Sequence, residues 1–224
     1  MKYIKTPVYE FSELDEDTKQ KVIDKERTFY FDCMFEDDLH LWLFDSDKCP
    51  LIDSGVSIDS LKDLSYDLSN YQYDHVAFRH CTLDLHTLLN KSGAWEVIEK
   101  TLGDSIDNIE LNAFVGNLHI YWQMNSRDPF CSSGEVVVTE YDYWENLFND
   151  EDLITELEGL QQEIASYLTD YMHELQSKLY DYLIELTDDM SSEENIIANL
   201  DSDLLYDSNG ISYTREEIED DGEE

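Results

Sequence analysis

The chain has 224 residues, 53 of them Asp or Glu and 14 Lys or Arg, for a formal net charge of −39. That imbalance argues against binding to phosphate backbones or anionic membranes, which needs basic surface, and favours basic partners. Apolar residues make up 42% of the chain, with Tyr 15, Phe 9 and Trp 4, which is enough for a buried core and too much for a disordered acidic chain.

The charge is uneven. Residues 1–140 hold 27 acids and 12 bases, whereas residues 141–224 hold 26 acids and 2 bases. A halophilic surface, the alternative source of such charge, spreads its acids more evenly. Cys33, Cys49, Cys81 and Cys131 lie far apart and form no CxxC pair. No apolar run follows Met1, and no segment reaches the length of a membrane span. These features together point to a reduced, cytoplasmic protein with free thiols.

The pattern predicts a short strand over Tyr3–Tyr9, then a helix capped by Ser12 with Asp15 in its first turn, running through Val22 and Ile23 towards Phe29. Lys5, Lys19, Lys21, Lys25 and Arg27 make this the one place where charge balances. Phe31, Phe35, Leu39, Trp42 and Leu43 follow at helical spacing, with Glu36, Asp37 and Asp38 outside. Pro50 and Gly55 mark loops. Leu64, Tyr66 and Leu68, then Val76 and Phe78, suit strands, and Leu83–Lys100 reads as helix broken near Ser92-Gly93. Ile109–Val115, a Gly116-Asn117 turn and Leu118–Trp122 read as a hairpin. Turn residues at Arg127-Asp128-Pro129 and Ser132-Ser133-Gly134 then precede a strand over Glu135–Thr139.

The stretch Tyr143–Asp189 organises the rest. Leu153, Leu157, Leu160, Ile164, Leu168, Tyr171, Leu175, Leu179, Tyr182 and Leu186 step by three or four residues, which is one face of a long helix or helical pair. The intervening positions carry Glu151, Asp152, Glu156, Glu158, Glu163, Asp170, Glu174, Asp181, Glu185, Asp188 and Asp189 against a single Lys178. Surface helices usually alternate Glu with Lys at four-residue spacing to gain ion pairs. This one places like charges in a row, either as a merely solvated face or as a surface whose negative charge is used. A short helix capped by Ser191 or Ser192 follows, and residues 215–224 read as an acidic disordered tail. The expected fold is a single α+β domain over residues 1–214, with a small antiparallel sheet packed against long acidic amphipathic helices.

Catalytic signatures are missing. There is no GxSxG, Walker motif or GxGxxG, and His80-Cys81, read as strand neighbours, would point to opposite faces. The spacings of His75, His80 and His86 fit no zinc signature. Asp207-Ser208-Asn209-Gly210 with Glu216 copies part of a calcium loop, but its first ligand position falls on Leu205. No metal or other cofactor is expected, and the chain reads as a non-enzyme.

Phe11-Ser12-Glu13-Leu14 and Thr18-Lys19-Gln20-Lys21-Val22-Ile23 resemble the start of a widespread group of small acidic phage and prophage proteins. Those proteins open with a strand, an F-x-E-L turn and a Lys-rich helix. Their mid-chain Gln-Gly-Asp-Gly-x-x-Phe block is similar to Gln72-Tyr73-Asp74-His75-Val76-Ala77-Phe78, although Tyr73 and His75 replace both glycines. Their Tyr-rich acidic helices resemble Tyr167–Leu186, and a closing pattern is echoed by Ile197-Ala198-Asn199, Tyr206, Asp207 and Gly210. The resemblance implies a phage origin, a bacterial host cytoplasm and an accessory role, with no catalytic residues.

Charge and resemblance together lead to an expected DNA mimic with anti-restriction or anti-CRISPR action. B-form DNA carries about one negative charge per 1.7 Å of axis, and helices lined with carboxylates imitate it. The partner-binding residues expected are Glu151, Asp152, Glu156, Glu163, Asp170, Glu174, Asp181, Glu185, Asp188 and Asp189, standing in for phosphates. The expected partner is a basic DNA-binding host protein, a nuclease or CRISPR component, with homodimerisation left open. The alternative is an antitoxin or adaptor bound through shape, and a third class is an enzyme built on Gln72, Asp74 and His75.

Overall fold

The structure, a computed structural model, describes residues 7–68, 75–102, 108–124, 134–140 and 151–214, with only the backbone of 108, 109, 140 and 151–153. The fold is α+β. In chain order its helices are α1 (Glu16–Cys33), α2 (Phe35–Phe44), α3 (Leu85–Ser92), α4 (Ala94–Leu102), α5 (Asn108–Gly116), α6 (Glu151–Met190) and α7 (Glu193–Asn199). Its strands are β1 (Val56–Ser57), β2 (Leu64–Asp67), β3 (His75–Phe78), β4 (Thr82–Leu83), β5 (Leu118–Met124), β6 (Gly134–Glu140), β7 (Leu204–Tyr206) and β8 (Ser212–Thr214). Among the described residues the strands form four separate antiparallel ribbons, β1–β4, β2–β3, β5–β6 and β7–β8, where one small sheet is expected from the sequence.

The chain divides into two compact units. One comprises Trp42–Ile184, and the other the residues up to Leu41 with those from Glu185 onward. Helices α2 and α6 each belong in part to both.

In the central unit the β5–β6 ribbon supports the long helix. Ile120 faces Val138 and Trp122 faces Val136 across the ladder. Gly134, Val136 and Val138 are buried on alternate positions of β6, as a half-buried strand requires. Helix α6 runs antiparallel to β6 and is tied to it at three levels. Gln161 Nε2 donates to the Val138 carbonyl at 2.6 Å, the Val136 N–H donates to Thr169 Oγ1 at 2.9 Å, and His173 Nε2 lies 2.9 Å from the Gly134 carbonyl. A side chain at Gly134 would overlap the Trp122 ring, so glycine is needed for that close approach. Trp122 in turn meets His173 edge-on at 5.9 Å and donates Nε1–H to the Phe78 carbonyl at 2.8 Å. The apolar stripe of α6, Leu157, Leu160, Ile164, Leu168, Met172, Leu175, Leu179 and Leu183, is buried. Tyr171 and Tyr182, expected on that stripe, sit at its half-buried edge. Their hydroxyls donate outward, to the Ser54 carbonyl at 3.0 Å and towards Ser46 Oγ at 2.9 Å.

The other unit is closed by two short pieces of chain far apart in sequence. Tyr9 and Tyr206 exchange backbone hydrogen bonds at 2.8 Å each. Leu14, Val22 and Tyr206 form its buried cluster, packed by Phe11, Leu200 and Leu204. Arg27 Nε donates to the Ser191 carbonyl at 3.0 Å. Asp207 is buried in the β7–β8 turn and accepts backbone N–H groups from Asn209 at 2.8 Å and Ile211 at 3.0 Å. Gly210 follows at φ +79°, where its missing side chain clears Val22 of α1.

Three expectations need correction. Ile109–Val115 is helix α5, not a strand, and Gly116-Asn117 is its end, not a hairpin turn. Phe114 and Val115 are buried side by side, which a helix allows and a one-faced strand does not. Asn117 closes that helix through Nδ2–H to the Ala113 carbonyl at 2.7 Å. Strand β5 pairs instead with β6. The first long helix is capped by Asp15, which accepts the Thr18 N–H at 2.9 Å, and not by Ser12, which lies in a 3-10 turn over Phe11–Glu13. His80 and Cys81 lie between β3 and β4, outside any strand. By contrast, α2, the break between α3 and α4 at Gly93, the β2–β3 residues and the Ser192 cap of α7 stand where the sequence places them. Of the expected Tyr3–Tyr9 strand, the described residues 7–9 form no strand, only an isolated bridge at Tyr9. Its start, Gln72-Tyr73-Asp74, the Arg127–Ser133 turns, the beginning of the Tyr143–Asp189 stretch and the 215–224 tail lie outside the described residues.

Gln176 is 3% exposed in the apolar stripe, and its amide oxygen and nitrogen have no hydrogen-bond partner among the described residues. An orphaned buried amide costs about 1–3 kcal/mol. Gln176→Met, of similar length and without polar hydrogens, should therefore raise the thermal midpoint; an unchanged or lower midpoint would show that the amide is satisfied. Acceptance of the Ile211 N–H, followed by the Asn209 bonds, holds the Asp207 carboxyl below its ordinary value of 3.8. A lowered native pKa contributes stability above the ordinary value and loses it as pH falls through the native one. The gap in thermal midpoint between the wild type and Asp207→Asn should be full at neutral pH and close only below about pH 4. A gap that does not change with pH would contradict this.

Candidate acidic interaction surface

The surface follows from how α6 is built. Leu, Ile and Met at three- and four-residue steps bury one side, and unbranched Glu, Gln and Lys elsewhere favour helix. At the far end the Ser191 N–H still reaches the Thr187 carbonyl at 3.0 Å before Ser192 caps the next helix. With one side fixed to the β5–β6 ribbon, the other faces solvent.

In the central unit Glu156, Glu163, Asp170, Glu174 and Asp181 are all exposed, together with Glu158. Glu156, Glu163 and Asp170 follow at seven-residue steps, as do Glu174 and Asp181, and each step is about 10.5 Å along the axis. Lys178 is the one base of the helix and is bonded to Glu174 at 2.7 Å, which holds its ammonium above the ordinary value. In the other unit Glu185, Asp188 and Asp189 are exposed as well. Glu151 and Asp152 begin the helix, and their side chains are outside the described residues. Of the ten acids expected on the solvent face, the eight whose side chains are described are exposed.

Magnitude limits what this face does alone. From Glu156 to Asp181, six acids against Lys178 give about one net charge per 7 to 8 Å of axis. Duplex DNA carries about one per 1.7 Å, and one of its strands about one per 3.4 Å. The helix is a row of separate carboxylates and not a continuous phosphate-like line.

The remaining candidates for chemistry are dispersed. His75 Nε2 lies 3.2 Å from Ser65 Oγ, the His80 N–H reaches the Asp63 carbonyl at 3.2 Å, and the His86 ring rests against Trp95 at 6.1 Å. Among the described residues no three His, Cys, Asp or Glu side chains converge as a metal group. The Asp207 loop spends its carboxylate on its own backbone, and Leu205 belongs to β7. A cleft of about 310 Å³ is lined by Ile52, Asp53, Lys91, Tyr171, Glu174 and Lys178, with its charges balanced. Burial, with Asp63 second, pushes the Cys81 thiol up to about 12, away from any nucleophilic role at neutral pH. No described helix is long and apolar enough to cross a membrane. No family model matches the chain, and neither the curated proteins nor the solved structures contain a significant match.

Cys33 is exposed, Cys49 and Cys81 have thiols raised by burial, and all three are free; Cys131 is outside the described residues. In a Cys131→Ser background, a thiol reagent at pH 8 should modify Cys33 at least about tenfold faster than the other two, as thiolate fraction and access dictate. Equal rates, read by peptide mass mapping, would contradict the burial.

Proposed function

We propose that this chain is a non-enzymatic, phage-encoded inhibitor that acts in the host cytoplasm on a basic DNA-binding protein of a restriction, CRISPR or related nuclease system. It competes with DNA for Lys and Arg side chains by offering carboxylates. The observation that carries the reading is the exposed, almost uncompensated acid row of α6, held on a rigid ribbon through Gln161, Thr169 and His173. A net charge of −39 adds long-range attraction, which speeds encounter with a basic surface and makes it sensitive to salt. The resemblance to small acidic phage proteins agrees with this setting.

A second reading is favoured by the wide spacing of the carboxylates. An antitoxin or adaptor bound mainly through shape needs no duplex-like charge density. Salt separates the two, because screening weakens exposed charge pairs and leaves apolar packing in place.

The test is cleavage of duplex DNA by purified restriction and CRISPR nucleases in the presence of the protein. Where inhibition is found, it should fall steeply with added salt and be relieved by competitor DNA. Replacing Glu156, Glu163 and Glu174 by Gln and Asp170 and Asp181 by Asn should weaken it at least about tenfold, or ~1.4 kcal/mol. Inhibition indifferent to salt and to these five changes would overturn the mimic reading and leave the shape-driven one.

A further inference from the structure

The junction of α1 and α2 combines two features that rarely share a surface. Met34 ends α1 by donating its N–H to the Tyr30 carbonyl at 2.9 Å, and its own carbonyl accepts from Asp37 and Asp38 at 3.1 and 3.2 Å. Around that single-residue break three rings interlock. Tyr30 and Phe31 lie 5.3 Å apart, Phe31 and Phe35 5.6 Å, and Tyr30 and Phe35 6.2 Å. Despite these contacts Phe31 is 43% exposed and Met34 is 48% exposed. Asp32, Glu36 and Asp37 stand exposed beside them, and none forms an ion pair among the described residues. The nearest base on the helix, Arg27, is engaged by Asp24 and by the Ser191 carbonyl.

We propose that this junction is the apolar anchor of a protein interface, and that its occupant is a basic protein face carrying an apolar side chain. The apolar group packs against Phe31 and Met34, while neighbouring Lys or Arg side chains pair with Asp32, Glu36 and Asp37. Aromatic residues and methionine concentrate at interface centres, and a few rigid anchors carry most of the affinity. Here the mutual ring contacts fix Phe31 before binding, which reduces the ordering cost. Charge complementarity selects the partner. A second copy meeting across a two-fold axis would bring the same three acids face to face, and nucleic acid or an anionic bilayer would be repelled by them. The proposal rests on the basic-partner reading above and adds to it a salt-resistant component that phosphate mimicry lacks.

Two synthetic helical peptides of equal charge test it, one built of Lys and Leu, the other of Lys and Ser, titrated into the full chain by fluorescence anisotropy. At about 1 M salt, where the Debye length is about 3 Å, the Lys/Leu peptide should bind at least about tenfold tighter. Phe31→Ser with Met34→Ser should remove that preference and leave Lys/Ser binding at low salt unchanged. A preference that survives the double variant overturns the anchor. Self-association of the wild type that disappears in the double variant also overturns it, by making a second copy the occupant. Loss of Lys/Ser binding at low salt would count against the charge reading alone. Should the double variant fail to fold, the rim decides: Asp32→Asn, Glu36→Gln and Asp37→Asn should weaken low-salt Lys/Leu binding more than Glu156→Gln, Glu163→Gln and Asp170→Asn. Equal weakening by the two triplets overturns the proposal.

Discussion

The apolar stripe of α6 is the constraint on which the central unit depends. Eight large side chains from Leu157 to Leu183 are buried on one side of a single helix. Burying such a side chain is worth roughly 1.5–3 kcal/mol, an upper figure because the unfolded chain is already partly compact. Like charges at neighbouring positions on the other side each oppose the helix by only about 0.2–0.5 kcal/mol. Burial wins by a wide margin. The helix can therefore carry a row of carboxylates against the single Lys178 without losing its place on the ribbon, and its acid content is not explained by what the fold needs.

The same arithmetic separates two roles for the charge. Exposed carboxylates about 10.5 Å apart along a helix steer a basic partner from a distance and set the salt dependence of encounter. They give less to the lifetime of the complex, since each pair forms in water and is screened. A tight complex needs desolvated apolar contact somewhere. In the unit that holds α1, Phe31 and Met34 are two of the exposed apolar side chains, and Asp32, Glu36 and Asp37 beside them form no ion pair among the described residues.

Periodicity made the long elements legible. The α6 stripe, the α2 aromatics and the Gly93 break could be read because each rests on local spacing or on a glycine at positive φ. Helix α5 could not, because Ile109, Leu111, Ala113 and Val115 alternate as in a strand while Leu111, Phe114, Val115 and Leu118 repeat as in a helix. Tertiary burial of Phe114 beside Val115 decided between them. The choice of Asp15 over Ser12 as cap turned on a single 3-10 turn, below the resolution of pattern reading. The Tyr9–Tyr206 pairing and the Trp122–Phe78 bond join distant residues, and no local signal announces them. For the acid row, both position and axial spacing follow from residue numbers once the helix is known.

Segregation of the two faces also determines what selection can change without unfolding the protein. Glu156, Glu163, Asp170 and Asp181 are exposed, so neutralising one of them removes repulsion and should leave the core intact. One buried residue of the helix behaves oppositely. Gln176 is buried on the helix beside Met172, Leu175 and Leu179, where an apolar side chain would be more stable, and its amide has no hydrogen-bond partner among the described residues. Both features depart from the sequence that folding alone would favour, one on the surface and one inside. The surface departure recurs at position after position along the helix. The interior one is a single residue, and its effect is confined to how firmly the helix is seated.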